Sequence, residues 1–391
     1  MFLDNKKIIV RAPLLSYSGY GTHSRQVFKF VRTHFPNSHV TTGVLPWGIT
    51  SWMVNPELCN GDIGDIMSLS APSTGDEKFD ISFQVQLPNE WDPTLAKFNI
   101  GISAVVETDI CNPKWLDACN RMDLIIVPSQ HAANALNNSG YVETPIEVVG
   151  ECFYPEIENN PPPLDVEFET SFNFLLVGQF TGQHPTLDRK NIFNTLKWFV
   201  EEFTGDEEVG LVLKTNVGTN TIIDKKLTHD TVEKVLSEVR KGDYPKVHVI
   251  HGPMSTGQIA RLYKHPTVKA FLSLTRGEGF GLPILEAAAS GLPVITTNWS
   301  GHLDFLRLGK FIGVPYHLAD VPDARIDNEI FMPTSKWAEV DENMAKRVMR
   351  KFYNSSHKPQ GWALDLQPRI HENFSERAIF ARYKEVLERF L

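Results

Sequence analysis

Between Val268 and Thr297 an apolar run gives way to a glycine-rich loop, an apolar helix and a second apolar run, an order that few architectures accommodate. Val268-Lys-Ala-Phe-Leu-Ser-Leu274 reads as a buried strand, and Ala287-Ala-Ala-Ser-Gly-Leu-Pro-Val-Ile-Thr-Thr297 reads as a helix end, a turn and the next strand. Thr275-Arg-Gly-Glu-Gly-Phe-Gly-Leu-Pro-Ile-Leu-Glu286 then joins a strand to a helix that opens on Pro283. This is a βαβ unit. Its loop lies at the carboxyl end of a strand, where open α/β sheets bind ligands.

The loop's chemistry narrows the ligand. Its glycines let the backbone approach closely, and the first helical turn offers unpaired N–H groups and a favourable dipole to an anion. Two acids eight positions apart, Glu278 and Glu286, can accept hydrogen bonds from hydroxyl groups. A nucleotide-sugar, with a diphosphate between two hydroxyl-rich ends, has this shape. An ordinary turn before a proline-opened helix is the other use of the same residues.

Glu278-Gly-Phe-Gly-Leu-Pro-Ile-Leu-Glu286-Ala, followed by Ser290-Gly-Leu-Pro-Val294, resembles the signature of the sucrose-synthase/mannosyltransferase-like family of retaining nucleotide-sugar glycosyltransferases. The resemblance extends more weakly over nearly the whole chain. It implies an α/β protein of GT-B architecture, two Rossmann-like domains facing a central cleft with a C-terminal helix crossing back. The donor would be a nucleoside diphosphate sugar, UDP- or GDP-linked, with Glu278 on the sugar, Glu286 on the ribose hydroxyls and the Gly279-Phe280-Gly281-Leu282 backbone beside them.

Size and composition agree with this. At 391 residues the chain exceeds what one hydrophobic core usually supports. We expect an acceptor-side domain over 1–163, a donor domain over 164–370 and a crossover helix over 371–391. A 42% hydrophobic and 22% charged content describes a globular enzyme, and Met1-Phe-Leu-Asp-Asn-Lys-Lys-Ile-Ile-Val10 carries no secretory apolar region. No apolar stretch reaches the roughly 20 residues needed to span a bilayer. Cys59, Cys111, Cys119 and Cys152 include no CxxC pair, so reduced thiols in a cytoplasmic protein without a zinc site are expected. A formal charge of −9 gives no overall attraction to nucleic acid or an anionic membrane.

In the first domain, strand Ile8-Val10 leads through a loop containing Gly19, Tyr20 and Gly21 to a helix over Thr22–Val31, with Thr22 or Ser18 as its cap. The glycine spacing falls short of a full dinucleotide fingerprint and also suits plain turns. In the resembled family the equivalent loop can contact the donor, which makes these three residues candidates. A strand over 97–106 ends at Glu107-Thr-Asp109, whose acids are candidates for holding the acceptor hydroxyl, although Asp109 also suits a turn cap. The family often places a histidine near this position, and none stands here. Arg121-Met-Asp-Leu-Ile-Ile-Val-Pro-Ser129 reads as a strand and a helix capped by Ser129 and ended by Gly140. Pro161-Pro-Pro163 marks the linker.

In the second domain, strand Phe172-Gly178 precedes a polar loop and a helix over Arg189–Phe203. The resembled family commonly carries an arginine after this strand and a lysine at the helix start, both facing the diphosphate. Lys190 fits the lysine, Gln179 replaces the arginine, and Arg189 is placed to compensate. Cations at a helix N-terminus oppose the dipole, which an anionic ligand would explain; a solvated surface pair is the alternative. Lys214 ends another strand, where it approaches the nucleotide or closes an edge, and the resemblance assigns His251-Gly-Pro-Met254 to the nucleobase wall. Helices are expected over Thr256–Lys264, with Thr256 as its cap, over Lys336–Phe352, with apolar Val340, Met344 and Val348 at four-residue spacing, and over Glu376–Leu391.

No Asp-x-Asp metal ligand occurs, so the predicted roles on the leaving diphosphate fall to Arg189, Lys190 and loop N–H groups, with no cofactor or divalent ion required. Glycans, lipid-linked glycans and small molecules are the acceptor classes, and oligomeric state is left open. Hydroxylated bases in DNA are an alternative acceptor, motivated by Arg11, Arg25, Lys29, Trp47, Trp52, Trp91 and Trp115. A non-catalytic nucleotide-sugar-binding regulator is a second alternative.

Overall fold

The computed structural model describes residues 5–70, 78–159, 161, 163–216 and 218–391. The opening residues 1–4 and Pro162 of the proline run, both used above, lie outside the described residues. The chain forms two compact units. One comprises Met1–Cys152, Asp327–Met332 and Glu376–Leu391, the other Phe153–Ile326 and Pro333–Ser375.

The first unit contains β1 (Lys7–Ala12), α1 (Gly19–His34), β2 (His39–Val44), α2 (Asp62–Ser68), β3 (Phe79–Val85), β4 (Ala96–Ile102), α3 (Trp115–Cys119), β5 (Leu124–Val127), α4 (Gln130–Ser139) and β6 (Ile146–Val148). Its six strands are parallel in the order β2-β1-β3-β4-β5-β6. Central strands such as Leu124-Ile-Ile-Val127 are buried throughout, as a sheet covered on both faces requires. Ser18 caps α1 by accepting the Gly21 N–H at 3.0 Å, so this helix begins earlier than Thr22. Ser129 caps α4 through the Ala132 N–H, and Gly140 ends it.

The second unit contains β7 (Phe172–Val177), α5 (Ile192–Glu202), β8 (Val209–Thr215), α6 (Ile222–Val239), β9 (Lys246–His251), α7 (Thr256–Tyr263), β10 (Val268–Ser273), α8 (Leu282–Ala289), β11 (Val294–Thr297), α9 (Leu303–Leu306), β12 (Ile312–Val314), β13 (Tyr316–Asp320), β14 (Lys336–Val340), α10 (Glu342–Asn354) and α11 (His357–Phe374). Six parallel strands run in the order β12-β11-β10-β7-β8-β9. The chain builds outward from β7 through β8 and β9, then returns to the other side of β7 with β10. That reversal is a topological switch point. The connection from β7 leads to β8 on one side and that from β10 to β11 on the other, and in open α/β sheets such a point, at the strands' carboxyl ends, is where ligands bind. Beneath it, Phe174, Leu196, Phe199, Phe203, Leu211 and Leu272 belong to one buried core.

The last helix, α12 (Glu376–Phe390), belongs to the first unit. Phe380 and Tyr383 pack on Phe30 of α1 at ring separations of 5.6 and 5.2 Å, while Lys29 reaches Glu376 at 2.6 Å. The chain passes between units at Cys152, ahead of the proline run expected to mark the linker, and again after Ser375. The segment 327–332 is a further contribution to the first unit, tied by the Asn112 amide to the carbonyls of Asn328 and Glu329.

Three further element boundaries differ from the sequence reading. Lys336–Phe352 is not one helix. Lys336–Val340 pairs antiparallel with β13, and Asp341 accepts the Met344 N–H at 2.9 Å to start α10. Val340, in the strand, keeps four-residue spacing with Met344 and Val348 of the helix, so the spacing runs across the junction without marking it. The helix expected from Arg189 begins at Ile192, and Ser255 rather than Thr256 caps α7. Among the described residues no helix is long and apolar enough to cross a membrane. Cys59, Cys111, Cys119 and Cys152 form no disulfide.

Candidate functional site

The loop from β10 to α8 is shaped by its glycines. Gly281 precedes α8 at φ 99°, a left-handed conformation that costs a side-chain-bearing residue energy, and a Cβ there would come within 3.2 Å of His302 Cβ. A second loop, after β11, lies against the first. Ser300 Oγ accepts the Glu278 N–H at 2.9 Å and Gly301 N–H donates to the Glu278 carbonyl at 3.0 Å. A Cβ on Gly301 would fall 2.1 Å from the Gly279 carbonyl oxygen, so only glycine permits this approach. Phe280 turns inward onto Phe305 and Phe374 and serves as the loop's apolar anchor, leaving only its backbone for a ligand.

Across the switch point, the loop from β7 brings Arg189 and Lys190 to Glu278. Lys190 Nζ donates to both carboxylate oxygens at 2.7 Å, and Arg189 Nη1 lies 3.6 Å from Oε2 while donating to the Gly277 carbonyl at 2.6 Å. Burial acts to raise the Glu278 carboxyl, but Lys190 and Arg189 outweigh it and hold the group down at about 2. Two cations face one carboxylate, so the cluster keeps a net positive charge. The sequence reading placed these cations at a helix N-terminus with an anionic ligand as their reason. In the structure they precede the helix, and Glu278 is their partner. Asp188 does the capping, accepting the Ile192 N–H at 2.6 Å and the Thr181 N–H at 2.9 Å.

Arg276 was absent from the candidates and holds this arrangement together. Its Nη1 donates to the carbonyls of Pro185 and Asp188, each at 2.7 Å, while Nε and Nη2 form a fork on Glu339 at 2.6 and 3.2 Å. One guanidinium thus fastens the cation-bearing loop to β14. Ser300, Gly301 and His302 were also missed. His302 is fully buried and Nε2 meets the Thr297 carbonyl at 2.8 Å. The only available signal was their position at the carboxyl end of a strand.

Glu286 occupies a different environment. It projects from α8 toward α7, where Tyr263 Oη donates to Oε2 at 2.9 Å. Both side chains are buried, and with no cation paired to it Glu286 is raised by burial to about 8, the tyrosine hydrogen bond opposing this. At the ends of β8 and β9, Lys214 Nζ donates to the Gly252 carbonyl at 2.7 Å, and burial lowers its ammonium to about 8. Lys214 therefore supports the His251–Met254 turn. His251 and Met254 are half-buried, and burial lowers the His251 imidazole.

In the first unit, Gly19, Tyr20 and Gly21 form the start of α1. Tyr20 Oη bonds Ser103 Oγ and accepts the Ala104 N–H, both at 3.0 Å, while its ring stacks on Trp47 at 4.0 Å. These contacts tie α1 to the end of β4. Glu107 and Asp109 follow on that strand's outgoing loop, both half-buried, after Val105 at φ 58°, a conformation rare for a β-branched residue. Among the described residues no group of three or more His, Cys, Asp or Glu side chains is placed to hold a metal ion.

The family model for glycosyl transferases group 1 matches residues 221–327, which include Glu278 and Glu286. Sucrose synthase of Solanum tuberosum is 27% identical over 180 residues, 42% of this chain and 22% of that protein. Sucrose synthase of Melioribacter roseus is 33% identical over 79 residues, 19% of this chain and 10% of that protein. The matched stretches therefore span under a quarter of these relatives' length. Among solved structures, sucrose-phosphate synthase of Thermosynechococcus elongatus superposes with a TM-score of 0.64 at 13% identity, covering 98% of this chain and 99% of the other. Anabaena HepE in complex with UDP and glucose gives 0.62 at 13% identity, covering 98% and 100%. The chain has the GT-B fold and is related to the glycosyl transferases group 1 family.

Proposed function

We propose that this chain is a retaining glycosyltransferase that moves a sugar from a nucleoside diphosphate sugar to a hydroxyl of a glycan or small molecule. The observation that carries this is the cluster of buried Glu278 with half-buried Lys190 and Arg189 beside the glycine loop at the second unit's switch point. Its excess positive charge suits a diphosphate. Glu278, kept ionised, is an acceptor for hydroxyls of the transferred sugar, and Glu286 is the acceptor for those of the ribose.

In this reading Arg189, Lys190 and loop N–H groups stabilise charge developing on the leaving diphosphate. The acceptor attacks from the face that the phosphate leaves, and a phosphate oxygen takes the hydroxyl proton. Glu107 and Asp109 orient the acceptor; Gly19, Tyr20 and Gly21 complete the donor side; Lys214, His251 and Met254 frame the base. A uridine donor is favoured by analogy with the UDP and UDP-glucose complexes of HepE. Four cysteines outside any disulfide fit a cytoplasmic location.

Incubating the protein with UDP-glucose, UDP-N-acetylglucosamine and GDP-mannose, followed by mass analysis, tests the reading. Donor hydrolysis or transfer is expected with at least one, and it should disappear in Glu278→Gln. Neither binding nor turnover of any donor would count against the assignment. Proton NMR of the first product tests the stereochemistry: an α-linked donor should give an α-linked product, and a β linkage would overturn retention.

A further inference from the structure

We infer that Tyr263 is a positioning residue for the nucleoside end of the donor, holding one oxygen of Glu286 so that the other meets the ribose hydroxyls. This rests on the donor reading above. Tyr263 ends α7, is 2% exposed, and donates to Glu286 Oε2 at 2.9 Å. Its ring packs on Phe271 of β10 with centroids 6.0 Å apart. Phenylalanine would serve that packing equally well, so the hydroxyl has another purpose.

A carboxyl group turns freely about its last bond, and a single anchored oxygen removes that freedom. Among the described residues Glu286 Oε1 accepts no hydrogen bond, and the side chain keeps 5% exposure. The anchored acid therefore presents one unclaimed oxygen in a defined direction. Without Tyr263 the same oxygen would be shared between orientations.

The anchor also governs ionisation. Burial favours the neutral acid, whereas the Tyr263 hydrogen bond and incoming ribose hydroxyls favour the anion. Elements packed against α8 carry Arg261 on α7, Lys269 on β10, Asp304 on α9 and His371 on α11, and none of them pairs with Glu286 among the described residues. His371 meets α8 at its far end, on the Ala289 carbonyl at 2.6 Å, and lies 3.7 Å from Glu158. Tyr154 is near enough to Tyr263 to act on it electrostatically.

The test compares UDP with 2′,3′-dideoxy-UDP by calorimetry on the full chain between pH 6.5 and 9. The diphosphate is common to both ligands, so their affinity ratio isolates the ribose hydroxyls. For the parent this ratio should rise with pH as Glu286 ionises. Tyr263→Phe should lower the ratio roughly three- to tenfold at neutral pH and move the rise to higher pH, with dideoxy-UDP affinity unchanged. Glu286→Gln should make the ratio independent of pH. A Tyr263→Phe protein with the parent's ratio and midpoint overturns the inference alone. Should that variant not fold, a pH-independent ratio in the parent overturns it. A parent that binds no UDP defeats the donor reading as well.

Discussion

Glu278 and Glu286 lie eight residues apart on one motif and occupy opposite electrostatic environments. Glu278 sits on the loop, where Lys190 and Arg189 keep it ionised against burial, down at about 2. Glu286 sits inside α8, where burial raises it to about 8 and, among the described residues, a tyrosine hydroxyl is its one hydrogen-bond partner. The same side chain is thus a permanent anion at one end of the proposed donor and a neutral acid at the other. Partner charge decides between them, because both are nearly inaccessible to water. At the sugar end the charge is already present, while at the ribose end it forms as the ligand supplies donors.

The largest expected effect comes from removing the source of the difference. Lys190→Ala should leave Glu278 buried with Arg189 alone, cutting donor turnover by about 100-fold or more and costing about 3 kcal/mol of stability. Steady-state rates and urea unfolding would measure both. Turnover and stability matching the parent would show that the cluster is not what ionises Glu278.

Glu286→Gln should act next, and only on the alkaline side. A raised folded pKa means stability is fully present below the unfolded value near 4.5 and is lost as pH rises through about 8. The isosteric amide avoids this loss. Chemical denaturation at pH 5 and pH 9 should therefore show the parent weakening between them by a few kcal/mol more than the variant. Parallel decline would show that Glu286 does not ionise at a cost.

Glu278→Gln should reveal the opposite slope. Its depressed folded pKa contributes stability above about 4.5 that is lost as pH falls toward about 2, a component on the order of 3 kcal/mol. Melting temperatures from pH 6 to pH 2.5 should fall less steeply in the variant, which starts lower because both cations lose their partner. An acid limb identical to the parent's would contradict the assignment. The smallest effect belongs to Ser300→Ala, which leaves the Glu278 N–H without its acceptor and should cost about 1 kcal/mol. Thermal unfolding measures it, and no change would mean that the N–H is satisfied without the hydroxyl.

Elements whose signals are local were legible. Strand Val209–Thr215, the Ser129 cap and Gly140 stop of α4, and the βαβ unit around the glycine loop follow from apolar runs, capping chemistry and turn residues. The reading failed where a local pattern had two solutions. Trp337 and Ala338 form a strand because β13 lies beside them, and residues 336–352 taken alone do not contain that neighbour.

By itself the sequence determined that two acids and a glycine-rich loop share a strand-to-helix junction, and that Arg189 and Lys190 follow another strand. Only the tertiary structure decided that these segments meet. Lys190 and Glu278 are 88 residues apart and touch because β10 pairs with β7 across the switch point. The same long-range packing sets Tyr263 against Glu286, Ser300 under the Glu278 N–H and Arg276 onto Glu339. Periodicity and capping act over a few residues, so they are written in the chain locally. An ionisation state depends on burial and on whichever charges surround a group, and those are assembled only when the sheet closes its order.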